Sequence, residues 1–138
     1  MSSYLPIVST KRFNAEGIPD LTGRVVLVTG GSVGIGYTSA TALALANAHV
    51  IIASSTEDHG NDALESIRNE IKEKNPAGTG TVEFEQVDLG SIRETRALAD
   101  KIKQKDRLDI FIGNAAVGIA PFGLTKDGLE NHFQVRMI

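Results

Sequence analysis

Eight residues from Thr29 to Gly36, TGGSVGIG, carry the clearest chemical signal in the sequence. They follow a short apolar, β-branched run and precede an alanine-rich stretch, so they connect a predicted strand to a predicted helix. In such a turn, glycines permit a tight bend, close approach of the backbone to a pyrophosphate, and close packing of helix on strand. Unpaired N–H groups at the helix start then face the anion. The segment therefore predicts a site for the phosphates of a nucleotide.

Two other classes of protein fit this sequence less well. Residues 31–38 match the phosphate-binding pattern G-x-x-x-x-G-x-T, but Tyr37 stands where that pattern requires a lysine. Without the lysine no side chain reaches the terminal phosphates, which disfavours hydrolysis of nucleoside triphosphates. A methyltransferase usually has an acid at the end of its second strand to bind the ribose hydroxyls, and Ser54 is there instead.

The strands and helices that would position the turn alternate along the chain. Apolar, β-branched runs predict four strands, at residues 24–29, 49–53, 81–87 and 108–112. Alanine-rich or amphipathic stretches predict helices at residues 34–46, 61–74 and 91–105, and a last helix that starts at Thr125. Asn47 is expected to stop the first helix, and Ser91 is expected to cap the third, with Glu94 three residues on.

This alternation predicts an α/β fold. Strands joined by helices of this length pair in parallel through right-handed crossovers. We expect a Rossmann-like parallel sheet with flanking helices, in the strand order 3-2-1-4, that is incomplete after the fourth strand. Residues 21–138 would form this dinucleotide-binding domain. Residues 1–20, which lack a periodic pattern and contain Pro6 and Pro19, would form an N-terminal surface arm.

The composition excludes several classes of protein. Because there is no cysteine, the chain has no disulfide, zinc–thiolate site or cysteine nucleophile. A net charge of −3 provides no basic surface for nucleic acid. No apolar run approaches the roughly 18 residues of a membrane span, and no secretory signal is evident, so a cytoplasmic location is expected. The spacing of His49, His59 and His132 fits no metal site.

Three segments, in order, resemble the short-chain dehydrogenase/reductase family. They are T-G-x-x-x-G-x-G at residues 29–36, Asp88-Leu89 after the third strand, and Asn114-Ala115-Ala116 after the fourth. The segments PDLTGRV at 19–25 and TKDGLENHFQV at 125–135 resemble the retinol dehydrogenase-like and fungal oxidoreductase subgroup. This resemblance covers the N-terminal half of the family's fold. It implies NAD(P)-dependent hydride transfer between a nicotinamide and a carbonyl or alcohol.

The resemblance also implies which residues bind the cofactor. Asp88 would accept a hydrogen bond from the adenine amine, although an acid at a helix N-terminus is an alternative role for it. Asn114 would tie the central sheet together, with its neighbours on the nicotinamide side. The implied set is Thr29, Gly30, Ser32, Gly34, Ile35, Gly36, Ser54, Ser55, Asp88, Leu89, Asn114, Ala115 and Ala116.

NADP is the expected cofactor, and NAD is left open. An acid at the end of the second strand would bind the ribose 2′-hydroxyl of NAD and repel the 2′-phosphate of NADP. Ser54, Ser55 and Thr56 are there instead, and neutral hydroxyls remove that repulsion. Glu57 and Asp58 lie near the spacing of the NAD acid, but alignment with the family puts them at the start of the next helix, where the dipole favours acids.

No catalytic residue is assigned in this chain. The family uses a serine and a Tyr-x-x-x-Lys segment, in which the lysine lowers the tyrosine pKa. Tyr4 and Tyr37 are the only tyrosines, and Val8 and Thr41 stand four residues after them. Arg136 occupies the place of a family asparagine. We therefore expect a truncated product that keeps the cofactor-binding half of an oxidoreductase. The alternative is a non-catalytic nucleotide-binding or regulatory module.

Truncation would leave the fourth strand, residues 108–112, at the edge of the sheet. This strand is apolar and long enough to pair with another chain. The expected partners are therefore a dinucleotide cofactor and a second copy of the chain, bound through the exposed sheet edge.

Overall fold

Strands and helices alternate through the computed structural model, which describes residues 14 and 17–137. Their order agrees with the prediction. Most of the predicted arm of residues 1–20 lies outside the described residues, and the arm stays a prediction. The bounds are β1 Val25–Thr29, α1 Gly34–Leu45, β2 His49–Ser54, α2 Glu57–Lys74, β3 Thr81–Gln86, α3 Ile92–Lys103, β4 Ile110–Gly113 and α4 Asn131–Met137.

The strands form one parallel sheet in the order β3-β2-β1-β4, which confirms the predicted Rossmann-like fold. β1 pairs with β2 on one side and with β4 on the other, so that Thr29 lies opposite both Ala53 and Gly113. The carboxyl ends of the strands therefore meet at one edge. The strand order reverses at β1, and such a reversal is where open α/β sheets form a ligand crevice.

Both faces of β1 and β2 are buried, because helices cover the sheet on each side. The face toward α1 and α2 contains Val26, Val28, Val50 and Ile52 with Ala40, Ala44, Ala63 and Ile67. The face toward α3 contains Leu27, Ile51 and Ala53 with Leu98 and Ile102. Each large apolar side chain buried in this way contributes about 1.5–3 kcal/mol. The packed sheet is thus a rigid base for the loops at its carboxyl edge.

Asn47 ends α1 in the left-handed conformation, with φ 73°, as predicted. Its Nδ2 donates to Asp20 Oδ1 at 2.8 Å. Its Oδ1 accepts hydrogen bonds from the Thr79 N–H at 3.0 Å and from Asn75 Nδ2 at 3.1 Å. One side chain therefore joins the entry to the domain, the end of α1 and the loop that leads into β3.

β4 begins at Ile110, two residues later than the sequence predicts. The reason is that the carboxylate of Asp109, in place of a backbone carbonyl, accepts the Val25 N–H at 2.9 Å. The guanidinium of Arg24 lies 2.8 Å from the same carboxylate. Arg107 and the Val25 N–H hold the pKa of Asp109 well below its usual range. The hydrogen bond and the ion pair of the Asp109 carboxylate therefore align the starts of β1 and β4.

α2 begins at Glu57, where alignment with the family puts the start of this helix and four residues before the start that apolar periodicity predicts, so His59 lies in the helix. Glu57 and Asp58 occupy its first turn, and Lys72 and Lys74 its last, which is the charge distribution that the helix dipole favours. Apolar periodicity could not predict this extra turn, because the turn carries no large apolar residue.

α4 begins at Asn131, and the prediction of a helix from Thr125 is wrong. The Thr125 hydroxyl accepts hydrogen bonds from the N–H groups of Asp127 and Leu129, and Gly128 has φ 79°. A hydroxyl that bonds to nearby backbone in this way stabilises a turn in competition with a helix. The segment before α4 is therefore a turn.

Gln134 in α4 is fully buried although its side chain is polar. Its Nε2 donates to Asp127 Oδ2 at 2.8 Å, and the Thr125 hydroxyl donates to its Oε1. The same Asp127 oxygen accepts the Ile92 N–H at 2.7 Å. The Ile92 N–H and Gln134 hold the pKa of Asp127 below its usual range. This network attaches the final segment to the first residue of α3.

β4 lies at the edge of the sheet, as predicted, and exposes apolar side chains. Phe111 is 59% exposed, and Leu108, just before the strand, is 42% exposed. A largely apolar groove of about 460 Å³ runs between β4, α3 and α4. Pairing of this edge with a second copy stays a prediction.

Replacing Gly60 with alanine is expected to destabilise the fold. The Phe84 ring lies against the Gly60 Cα, and an added Cβ would overlap it. Overpacking of this kind costs up to about 3 kcal/mol, more than the roughly 1 kcal/mol of helix propensity gained. The urea midpoint should fall. Gly113→Ala, where the Cβ would make only ordinary contacts, is the matched control. An unchanged midpoint for Gly60→Ala would contradict this packing.

Candidate functional site

A cleft of about 330 Å³ opens where the carboxyl ends of the strands meet. Loops after all four strands contribute to it. Of the residues implied by the resemblance, those that line the cleft are Gly30, Ser32, Ser54, Ser55, Asp88, Leu89, Ala115 and Ala116. Thr29, Gly34, Ile35, Gly36 and Asn114 are not in its lining. The structure thus brings residues from four separate segments to one site.

The glycine-rich turn forms the floor beside α1. Gly34, at the first residue of α1, has φ 58°, a conformation that side-chain-bearing residues rarely adopt. At Gly36 an added Cβ would overlap the Gly30 carbonyl oxygen and approach Asn114 Nδ2. The helix therefore starts directly against the end of β1. Ile35 beside these glycines is 80% exposed.

Asn114 fastens the turn to β4. Its Nδ2 donates to the carbonyls of Thr29 at 3.1 Å and Gly30 at 3.2 Å. The Thr29 hydroxyl in turn accepts the Ala115 N–H at 3.1 Å. These bonds join the ends of the two adjacent strands beneath the cleft.

No side chain among the described residues caps the N-terminus of α1. Its N-cap residue, Val33, cannot form a side-chain cap, and the first turn contains no acid. By contrast, Ser91 Oγ accepts the Glu94 N–H at 3.3 Å at the start of α3, which confirms the predicted cap. The Asp127 carboxylate binds the N–H of Ile92, the first residue of α3. The positive end of the α1 dipole therefore remains available to an external anion.

Hydroxyl groups line the cleft at the end of β2. Ser54, Ser55 and Thr56 lie there, and the buried Ser54 Oγ has no hydrogen-bond partner in the part of the chain that the structure describes. His59 lies in the first turn of α2 and also lines the cleft. Thr56 and His59 are not among the residues that the resemblance implies, although the sequence places the Thr56 hydroxyl at the end of the second strand. Apolar periodicity starts α2 at Asn61 and so misses the turn that brings His59 to the cleft.

Asp88 is the one acid among the residues that line the cleft. Its Oδ1 accepts the Gly90 N–H at 2.8 Å, and its own N–H donates to Glu94 Oε2 at 2.9 Å. Oδ2 of Asp88 has no hydrogen-bond partner among the described residues. The carboxylate therefore shapes the loop before α3 and keeps one oxygen for a donor in the cleft.

Tyr37 lies away from the cleft and has a structural contact. Its hydroxyl donates to Glu70 Oε1 on α2 at 3.1 Å. Burial, followed by the neighbouring Glu70, raises the pKa of Tyr37. A tyrosine that acts as a general base needs a lowered pKa, so Tyr37 does not have this role.

In the part of the chain that the structure describes, the His, Asp and Glu residues form no group of three or more that could hold a metal ion. Nor does that part contain a helix long and apolar enough to cross a bilayer. The cytoplasmic location stays a prediction from the sequence.

Comparison with known proteins places residues 24–137 within the model of one family, described as short chain dehydrogenase. A polyprenol dehydrogenase from Danio rerio is 35% identical over 124 residues, which are 89% of this chain and 36% of that protein. A WW domain-containing oxidoreductase from Gallus gallus is 38% identical over 117 residues, 84% of this chain and 27% of that protein. The chain spans about a third of the length of these curated relatives.

A solved structure shares the same architecture. The Pseudomonas aeruginosa RhlG/NADP active-site complex is 32% identical and superposes with a TM-score of 0.60. The match covers 71% of this chain and 36% of that one.

Asn114→Asp tests how strongly the Asn114 bonds hold the site together. The change places carboxylate oxygens against the Thr29 and Gly30 carbonyls and removes their donor, at an expected cost of about 2–3 kcal/mol in the free energy of unfolding. The loss of unfolding free energy should be smaller at acid pH, because the introduced carboxyl group is then protonated and can donate one hydrogen bond. Urea unfolding measures both effects. Asn61→Asp, the same change on the exposed surface of α2, should cost no more than about 0.5 kcal/mol. Equal effects for the two variants would contradict the proposed role of these bonds.

Proposed function

The chain belongs to the short-chain dehydrogenase family, and on that premise we propose that it binds a nicotinamide dinucleotide in the cleft above β1–β4. NADP(H) is preferred to NAD(H). The proposed binding residues are those implied by the resemblance, with Thr56 and His59 in addition. The NADP complex of a relative that is 32% identical supports this choice of ligand.

The uncapped start of α1 is the observation that carries the proposal. A pyrophosphate at this position would accept hydrogen bonds from the free N–H groups of the first turn. The positive end of the helix dipole would stabilise its negative charge. The glycine at 34 leaves the backbone without a side chain beside open space, at the point where an anion must approach. No acid of the first turn opposes that charge.

The end of β2 favours the 2′-phosphate of NADP(H). The residues that line the cleft there carry hydroxyls and the imidazole of His59, and no carboxylate. Hydroxyls can donate to phosphate oxygens, and the buried Ser54 Oγ has no hydrogen-bond partner among the described residues. An acid in this place would instead repel the phosphate.

The nicotinamide, when bound, supplies hydride exchange with a carbonyl or an alcohol. The chain would bind and orient the dinucleotide. The start of α1 would bind the phosphates, Asp88 would accept a hydrogen bond from the adenine amine, and the loop after Asn114 would lie on the nicotinamide side. None of these residues is proposed as a proton donor to the carbonyl oxygen. The chain is therefore proposed as the cofactor-binding half of an oxidoreductase.

The alternative is a non-catalytic nucleotide-binding or regulatory module. The two functions differ in turnover. Oxidation of NADPH that depends on an added carbonyl compound supports the enzyme. Binding of NADPH without oxidation supports the module, and failure to bind any dinucleotide contradicts both.

Ser55→Asp should reverse the preference for NADP(H). The new carboxylate would repel the 2′-phosphate and could accept from the 2′-hydroxyl of NADH. We expect the Kd for NADPH to rise by about tenfold or more, with the Kd for NADH unchanged or lower, as measured by titration calorimetry. Asn61→Asp adds the same charge to α2 outside the cleft lining and should leave both constants unchanged. A parallel loss of both nucleotides would contradict this position for the 2′-phosphate.

We also propose that a second copy of the chain pairs through β4. The unpaired edge and the exposed Phe111 support this pairing. Sedimentation should then detect dimers or larger species, and Phe111→Lys should reduce them, because a charge on an edge strand opposes pairing. A chain that sediments as a monomer at all accessible concentrations would contradict self-association.

A further inference from the structure

His132, in the second position of α4, bridges two parts of the chain. Its Nδ1 lies 2.7 Å from Glu130 Oε1, and its Nε2 lies 2.9 Å from the Gly118 carbonyl oxygen. Glu130 is itself fixed, because its other oxygen accepts the Phe133 N–H at 2.9 Å. The imidazole therefore connects the start of α4 to the loop that follows β4.

Both partners of this imidazole are acceptors only. A carboxylate and a backbone carbonyl have no proton to donate, so each ring nitrogen must carry one for both bonds to exist. A neutral imidazole has a single N–H. The observed geometry consequently requires the imidazolium form of His132.

The surrounding charges favour this form. Glu130, and then the Gly118 carbonyl, raise the pKa of His132. Bonds from His132 and from the Phe133 N–H lower the pKa of Glu130 to about 2, so this carboxylate stays charged at neutral pH. Arg136, one turn along α4, acts in the opposite direction. The loop of residues 114–124 carries no titratable side chain.

When the His132 imidazolium loses a proton, its hydrogen bond to the Gly118 carbonyl is lost and its hydrogen bond to Glu130 remains. The neutral ring keeps its one N–H on Nδ1, where the acceptor is charged and the hydrogen bond stronger. Nε2 then presents a lone pair to the Gly118 carbonyl, and the two acceptors repel. Since the pKa of His132 is raised in the folded chain, the bridge is complete below about pH 6.5. It is lost as the pH rises through that raised value.

The loop that His132 holds is a wall of the cleft. Ala115, Ala116 and Val117 line the cleft, and Gly118 is the next residue. Release of Gly118 therefore frees the wall on the side assigned to the nicotinamide.

We propose that His132 is a positioning residue whose imidazolium clips the loop of residues 114–124 at the rim of the cleft, so that dinucleotide binding weakens as His132 loses its proton. The coupling to affinity rests on the proposed function, whereas the clip itself does not.

The clip is tested by NMR titration of the whole chain from about pH 5.5 to about pH 8.5, a range that brackets the imidazole pKa. The Ile119 N–H shares a peptide bond with the Gly118 carbonyl. Its chemical shift should change with the same midpoint as the His132 ring. His132→Gln should remove the transition, and Glu130→Gln should move it to lower pH. An Ile119 signal that does not follow the ring would overturn the clip, whether or not a dinucleotide binds.

The coupling is tested by measuring NADPH affinity over the same range. The 2′-phosphate of the ligand also titrates, so the quantity to follow is the ratio of wild-type to His132→Gln affinity. This ratio should fall about three- to tenfold, the worth of one hydrogen bond, around the NMR midpoint. His49→Gln, a change at a histidine that bonds to Thr81 at the opposite end of β2, should keep the wild-type profile.

The outcomes separate the two proposals. No binding of NADPH or NADH at any pH contradicts the proposed function, and the NMR titration still decides the clip. Binding with a flat affinity ratio contradicts the coupling and leaves the proposed function intact. A ratio that falls at the NMR midpoint, and shifts with Glu130→Gln, supports both.

Discussion

The contact between Gly36 and the Gly30 carbonyl is the constraint on which the site depends. Because a side chain at Gly36 would overlap that oxygen, only a glycine there lets α1 start directly against the end of β1. Asn114 completes the arrangement from β4 by donating to the carbonyls of Thr29 and Gly30. β1, α1 and β4 are thereby held together at their junction. Beside this junction, loops that follow all four strands line the cleft.

The N-termini of α1 and α3 differ in whether side chains occupy them, and this difference indicates where a negatively charged ligand would bind. At the start of α3, Ser91 and Asp127 accept hydrogen bonds from free N–H groups of the helix. The carboxylate of Glu94 lies in the first turn, where the positive end of the helix dipole stabilises its charge. The start of α1 has no such group. Since unpaired N–H groups at a helix start bind anions, the same backbone physics makes one terminus structural and leaves the other for a ligand.

Much of the fold is predictable from local patterns. Runs of β-branched residues predict strands that are buried on both faces, and the core of β1 and β2 has this composition. The start of α4 is not predictable in this way, because the Thr125 hydroxyl binds nearby backbone in a turn that has no periodic signal. Apolar periodicity misses the first turn of α2 for a related reason, although alignment with the family places Glu57 and Asp58 there, and the approach of His59 to the cleft was not predicted.

The sequence by itself determined the order of strands and helices, the parallel sheet and the segments that supply its carboxyl edge. These properties depend on residue periodicity and on the glycines of one turn, which are local. Only the tertiary structure decided which side chains meet across long separations, such as Asp127 with the start of α3 and His132 with Gly118. Those contacts depend on how packed elements are placed in space. Hydrogen-bond geometry between distant residues leaves no pattern in the sequence.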